Sequence, residues 1–166
     1  MFELKPLSKD AIPAALAKAE RYRLLNEPGE AESICLDVLR IDPDNQDALV
    51  IRVLALTDQF AEEGSARFAA LACEITATLR DEYSRLYYAG IISERRAKAH
   101  LHKDRPGSGP AVQEWLRDAM RCFERAEAIR PAGNDDAILR WNACARILME
   151  LSPLQPDLEA EPLQLE

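Results

Sequence analysis

The chain has 166 residues, 48% of them hydrophobic and 30% charged, and a formal net charge of −8. That length suits a single domain that buries roughly 70% of its unfolded surface. The negative charge argues against general nucleic-acid binding, which needs surplus lysine and arginine to neutralise phosphates, and no apolar run is long enough to predict a membrane span.

Four helices are predicted in the first half of the chain, separated by turn-forming residues. Ser8 or Asp10 can cap the first, which ends near residue 25 at the turn Asn-Glu-Pro-Gly. The second covers residues 30–41 and stops at a proline-containing turn, because proline has no N–H to donate. The third begins near Gln46, and Gly64 marks the boundary before a fourth helix that continues to Leu79.

The second half predicts three longer helices and one irregular loop. The fifth helix spans 81 to about 103, and the loop 103–110 (KDRPGSGP) follows, because two prolines and two glycines within it oppose regular structure. The sixth covers 111–129. Asn134 can cap the seventh, which runs to about residue 151. The remaining segment, 152–166, has three prolines and four acidic residues and predicts an acidic tail outside the single domain 1–151.

Two sets of four residues, one in the second predicted helix and one in the sixth, have the same spacing of four, three and five positions. The first three residues of each set share one helical face, and a proline then ends the helix. The first three members of each set are predicted to be buried; the sets are Ala31, Cys35, Val38 and Pro43, and Ala119, Phe123, Ala126 and Pro131.

Together with Ala19 and Tyr22, this order of small, bulky and proline residues resembles the tetratricopeptide helix–turn–helix repeat. The resemblance covers residues 12–60 and 111–151. It implies an all-α fold in which about seven helices form antiparallel hairpins, stacked as a short right-handed array with an expanded third hairpin.

The resemblance also implies a groove, formed by the first helix of each hairpin, that binds a peptide. Its side chains would be Leu16, Glu20, Arg23 and Leu24 on the first helix, and Val50, Leu54, Thr57 and Asp58 on the third. The lysine and asparagine by which one branch of the family grips a terminal carboxylate are replaced here by Leu16 and Glu20, so that kind of clamp is not expected.

Three further groups are candidates for surface contacts. The first is a basic run in the fifth helix and its loop, suited to an acidic peptide or to the acidic tail. The second is a tyrosine pair beside Gly90, a residue that permits close helix approach. The third is Asn142, a residue of low helix propensity in the middle of a helix. The basic run is Arg95, Arg96, Lys98, Lys103 and Arg105, and the tyrosines are Tyr87 and Tyr88.

Metal and cofactor chemistry are not predicted. His100 and His102 lie two residues apart, so they point to different sides of a helix. The glycines near residue 107 are not followed by the lysine and hydroxyl residue of a phosphate-binding loop. The four cysteines fall in apolar helical patterns without a secretory signal, which predicts reduced core thiols and a cytoplasmic protein.

The function predicted from these features is a non-enzymatic adaptor or scaffold that binds a protein or peptide partner in its groove. The candidate contact residues are Leu16, Glu20, Arg23, Leu54, Asp58, Tyr88, Arg95 and Asn142. Two alternatives remain open: a small enzyme or enzyme subunit with a polar pocket at the third hairpin, and a secretion-type chaperone.

Overall fold

A computed structural model of the chain describes residues 2–101 and 109–151, which contain seven α-helices and no β-strand. A short 3-10 turn, Lys9–Ala11, precedes the first helix. The helices are α1 Ile12–Leu24, α2 Pro28–Ile41, α3 Gln46–Asp58, α4 Ser65–Ala77, α5 Glu82–Leu101, α6 Gly109–Ala128 and α7 Asp136–Leu151.

Each helix packs against the next one in the chain, and the connections within the described residues are short. Short connections between neighbouring helices make those neighbours antiparallel. Helices α1, α3, α5 and α7 therefore run in the same direction. Packing of α1 on α3, and of α3 on α5, joins successive hairpins. The predicted all-α array of helical hairpins is confirmed.

The predicted helix ends are correct to within about two residues, with a few differences in their first turns. The side chain of Asn45 caps α3 by accepting a hydrogen bond from the Ala48 N–H at 2.9 Å. Neither Ser8 nor Asp10 caps α1, because Ala11 holds the cap position and makes no side-chain bond there. Helix α6 begins at Gly109, since a proline is tolerated in a first helical turn. The rest of the predicted loop, 103–108, and the predicted tail 152–166 lie outside the described residues.

The three helical residues of each duplicated set belong to the core, as predicted. All six of the predicted core positions are fully buried: Ala31, Cys35, Val38, Ala119, Phe123 and Ala126. The second set belongs to a hydrophobic cluster that also holds Ile91, Leu116 and Cys144, and so joins α5, α6 and α7.

Close packing of α5 on α6 depends on Gly90. A Cβ atom at this position would lie 2.5 Å from Cε1 of Phe123, well inside van der Waals contact. Tyr87 packs on the same ring, with the two ring centroids 5.8 Å apart. The predicted close approach at Gly90 is confirmed, and its partner is the buried aromatic residue of the second signature.

Candidate functional site

The candidate site lies on the side of the array formed by the parallel helices α1, α3, α5 and α7, here called the groove face. Because these helices run in one direction, their C-terminal ends point the same way, and the end of α1 lies beside the end of α3. Arg23 is the next-to-last residue of α1, Asp58 is the last of α3, and Arg95 lies in the final third of α5. The topology thereby places three predicted contact residues together.

The carboxylate of Asp58 joins these three helices. The Nε–H of Arg23 donates to Oδ2 of Asp58 at 2.7 Å. Arg95 forms an ion pair with Oδ1 of the same carboxylate, and its Nη1 also donates to Oγ1 of Thr57 at 2.7 Å. The three charged side chains are 18–25% exposed, so each still reaches the surface of the groove face.

Two arginines share one carboxylate in this cluster, which leaves an excess of positive charge. Burial lowers the pKa of Arg95, the attraction of Asp58 opposes that effect, and repulsion from Arg23 and Arg140 adds to it. Each guanidinium has five N–H donors, and Asp58 does not occupy all of them. Arg95 also donates to Thr57 and to the Leu54 carbonyl, while Arg23 has no side-chain partner other than Asp58 among the described residues.

A second ionic cluster connects α5 to α7 beside the first. Glu94 is fully buried, and its Oε1 atom pairs with Lys98 and lies 3.5 Å from Nη1 of Arg140. The other oxygen, Oε2, has no hydrogen-bond partner among the described residues. Burial opposes the charge on Arg140, but a hydrogen bond with Tyr87 and the attraction of Glu94 outweigh it and raise the pKa of Arg140.

Leu16 and Glu20 lie nearer the opposite edge of the groove face. They line a cavity of about 350 Å³ between α1 and α3, together with Pro13, Asp47 and Val50. This end of the groove face is acidic, because Glu20 and Asp47 are exposed there, whereas the Arg23 end is basic. The groove face is thus polarised along the helix direction.

Tyr88 and Leu54 provide the apolar part of the site. Both are half-buried and pack against the core cluster of α5, α6 and α7. The carbonyl oxygen of Leu54 accepts a weak hydrogen bond from Arg95 at 3.4 Å. Burial raises the pKa of Tyr88, and Arg23 is close enough to oppose this shift. Tyr88 lies seven residues, about two helical turns, before Arg95, so the predicted tyrosine contact shares the face of α5 that carries Arg95.

Of the other predicted contact residues, Thr57 joins this cluster through its bond from Arg95, whereas Leu24 and Asn142 do not. Leu24 is 89% exposed, and Thr57 is buried with its hydroxyl bonded to the Leu54 carbonyl at 2.7 Å. Asn142 is half-buried on α7 and makes no side-chain hydrogen bond within the described residues.

The predicted basic run is divided between two sides of α5. Arg95 and Lys98 join the ionic clusters described above, whereas Arg96 lies 4.6 Å from the ring centroid of Trp115 on α6. This separation follows from helix geometry, since consecutive residues point about 100° apart. Lys103 and Arg105 lie outside the described residues.

The cysteines match the predicted core thiols only in part. Cys35 and Cys144 are buried, and burial raises the pKa of each thiol to about 12. Cys122 is half-buried, but Cys73 is exposed, so its assignment to the core was wrong. It lies on the outer side of α4, where a thiol tolerates solvent.

His100 is half-buried rather than on the surface, because its ring packs edge-on against Trp115; His102 lies outside the described residues. Within residues 2–101 and 109–151, no group of three or more histidine, cysteine or acidic residues could hold a metal ion. In the same ranges, no helix is both long and apolar enough to cross a membrane.

The chain was compared with protein-family models, with curated proteins and with solved structures, and none of them matches it. The resemblance to tetratricopeptide repeats stays a prediction from the sequence.

Proposed function

We propose that this chain is a cytoplasmic, non-enzymatic adaptor of the tetratricopeptide type, which binds a segment of a partner protein on its groove face. The observation that carries the proposal is the convergence of Arg23, Asp58 and Arg95 from three helices at one partly exposed cluster. Tyr88 and Leu54 add apolar surface beside it. Tyrosine and arginine are both enriched in surfaces that bind proteins.

The electrostatics of the cluster favour recognition over proton transfer. Both carboxylates, Asp58 and Glu94, are engaged by cationic side chains. Such pairs hold charge in fixed positions, which gives binding its register and specificity. The cavity lined by Leu16 and Glu20 extends the same surface toward the acidic end, so an extended segment could contact both ends at once.

The proposal is tested by affinity capture from a native lysate with two matched variants. The groove variant combines Ala17→Arg with Glu20→Lys, which fills the cavity between α1 and α3 with long cationic side chains. The control combines Ala70→Arg with Glu74→Lys on the outer side of α4. All four positions are exposed, and both variants change the charge by the same amount.

We expect the groove variant to capture at least tenfold less partner than the unmodified chain. The control variant should capture the same amount as the unmodified chain. Circular dichroism melts of both variants establish that the fold is intact. Equal capture by the groove variant and the unmodified chain would contradict binding on this face.

A further inference from the structure

A small cavity lies between α4 and α6, over the side of α5 that carries Arg96. Both α4 and α6 pack on α5, and the cavity has a volume of about 140 Å³. Pockets for drug-sized ligands measure about 300–1,000 Å³, so this cavity suits a smaller molecule. The residues that line it include Phe60, Ser65, Ala66, Arg96, His100 and Trp115.

One wall of the cavity holds a cation on an aromatic ring. The guanidinium carbon of Arg96 lies 4.6 Å from the centroid of the Trp115 ring, over its face. A guanidinium carries five N–H donors around its edge. Because the Arg96 side chain forms no hydrogen bond or ion pair with the described residues, these donors are available to a ligand in the cavity.

The imidazole of His100 helps to fix this wall. Its Nδ1 atom lies 3.1 Å from the carbonyl oxygen of Arg96, one helical turn earlier. Its ring packs edge-on against Trp115, with the two ring centroids 4.6 Å apart. The indole thus contacts both polar side chains of α5. Groups that are held in place before a ligand arrives lose less conformational freedom on binding.

The other walls combine one hydroxyl group with apolar surface. Ser65 is half-buried at the first position of α4, and its hydroxyl has no hydrogen-bond partner in residues 2–101 and 109–151. Phe60 is almost completely buried and contributes an aromatic wall together with Trp115. A ligand that fills this space therefore needs an apolar body as well as an acceptor group.

The charge of the lining selects the kind of acceptor. Among the described residues that line the cavity, Arg96 is the one permanently charged side chain. A carboxylate carries a single negative charge, and its two oxygens match two N–H groups of a guanidinium. A phosphate ester carries about −1.5 to −2 at neutral pH, and a single arginine leaves part of that charge unpaired.

We propose that this cavity binds a small organic monocarboxylate with an apolar body about the size of a benzene ring. Arg96 and Ser65 donate to the carboxylate, and Phe60 and Trp115 contact the body. The site is separate from the groove face, so it can be true or false independently of the proposed function.

The test titrates the full chain with sodium benzoate and follows tryptophan fluorescence. The chain has two tryptophans, so a Trp141→Phe parent lets Trp115 report alone. Benzamide is the matched neutral probe, because it has nearly the same shape without the charge. We expect saturable quenching or enhancement of the Trp115 emission by benzoate. Benzamide and inorganic phosphate should bind at least tenfold more weakly.

Two pairs of variants in the same parent locate the site. Arg96→Gln should weaken benzoate binding at least tenfold, whereas Arg146→Gln, which removes an exposed arginine on α7, should leave it unchanged. Ala66→Leu fills the cavity from the exposed side and should also weaken binding tenfold, whereas Ala77→Leu, at an exposed position of the same helix, should not. Circular dichroism melts establish that each variant is folded.

Three results would overturn the proposal. The first is the absence of saturable benzoate binding to the parent. The second is equal affinity for benzoate and benzamide, or tighter binding of phosphate than of benzoate. The third is benzoate affinity that neither Arg96→Gln nor Ala66→Leu changes, which would place the bound acid elsewhere on the chain.

Discussion

Substitution of Gly90 by alanine gives the sharpest test of how α5 packs on α6. In the interior of an exposed helix, replacing glycine by alanine stabilises a protein by about 1 kcal/mol. At Gly90 the added Cβ would lie 2.5 Å from Cε1 of Phe123 and 2.8 Å from two other ring atoms. The ring would have to move by about 1 Å to restore ordinary contact, but it is fully buried and held by Tyr87.

Overpacking of this kind costs about 1–3 kcal/mol, which outweighs the gain in helix propensity. We therefore expect Gly90→Ala to lower the free energy of unfolding by up to about 2 kcal/mol. Gly29→Ala is the matched control, because Gly29 also lies in a helix and its added Cβ would meet nothing within 4 Å. It should stabilise the chain by about 0.5–1 kcal/mol.

Urea denaturation followed by circular dichroism measures both variants. A shifted midpoint with an unchanged slope reports a change in stability. If Gly90→Ala proved as stabilising as Gly29→Ala, α5 and α6 would not be in the close contact described here. The cost of Gly90→Ala should also shrink in a Phe123→Leu background, since the smaller side chain gives the new methyl group room.

Three further predictions concern the charges, the thiols and the core. Asp58→Asn leaves two partly buried arginines without their carboxylate, so urea melts should show a loss of about 1–3 kcal/mol in the free energy of unfolding. Asp118→Asn removes an exposed ion pair and should change stability by less than about 1 kcal/mol. Equal effects of the two variants would refute a structural role for the Asp58 cluster. The urea midpoint should fall as pH rises from about 9 toward about 12 under reducing conditions, because Cys35 and Cys144 ionise near 9 when unfolded but stay protonated to about 12 when folded. Replacing both cysteines by alanine should make the midpoint less dependent on pH. An unaltered pH dependence would contradict the burial of these two thiols. Phe123→Ala should cost about 3–5 kcal/mol, and a loss below about 1 kcal/mol would show that the side chain is not core.

Local periodicity explains why the fold was predictable. Ala31, Cys35 and Val38 lie on one helical face whatever the rest of the chain does, and the proline after them ends the helix. The same reasoning applied to Ala119 and Phe123. Helix and core positions follow from neighbours within about four residues, which a single sequence contains.

The site was less predictable, because its contacts join residues far apart in the chain. Arg23 and Asp58 were expected on one groove, but nothing local indicates that Asp58 also pairs with Arg95, 37 residues away. Glu94 was missed entirely. A spacing of four from Lys98 is typical of an exposed helix pair, whereas Glu94 is fully buried and also contacts Arg140 of α7, a residue 46 positions away.

The central claim is that a partner protein binds on the groove face, and carboxylate footprinting of the full chain tests it most directly. A carbodiimide with glycine ethyl ester labels exposed acids, and mass spectrometry compares the free chain with the chain bound to its captured partner. The account predicts that Glu20 and Asp47 lose most of their labelling in the complex. Glu74 on α4 and Glu114 on α6, which lie outside the groove face, should keep theirs. Protection of Glu74 and Glu114, with Glu20 and Asp47 still labelled, would contradict it.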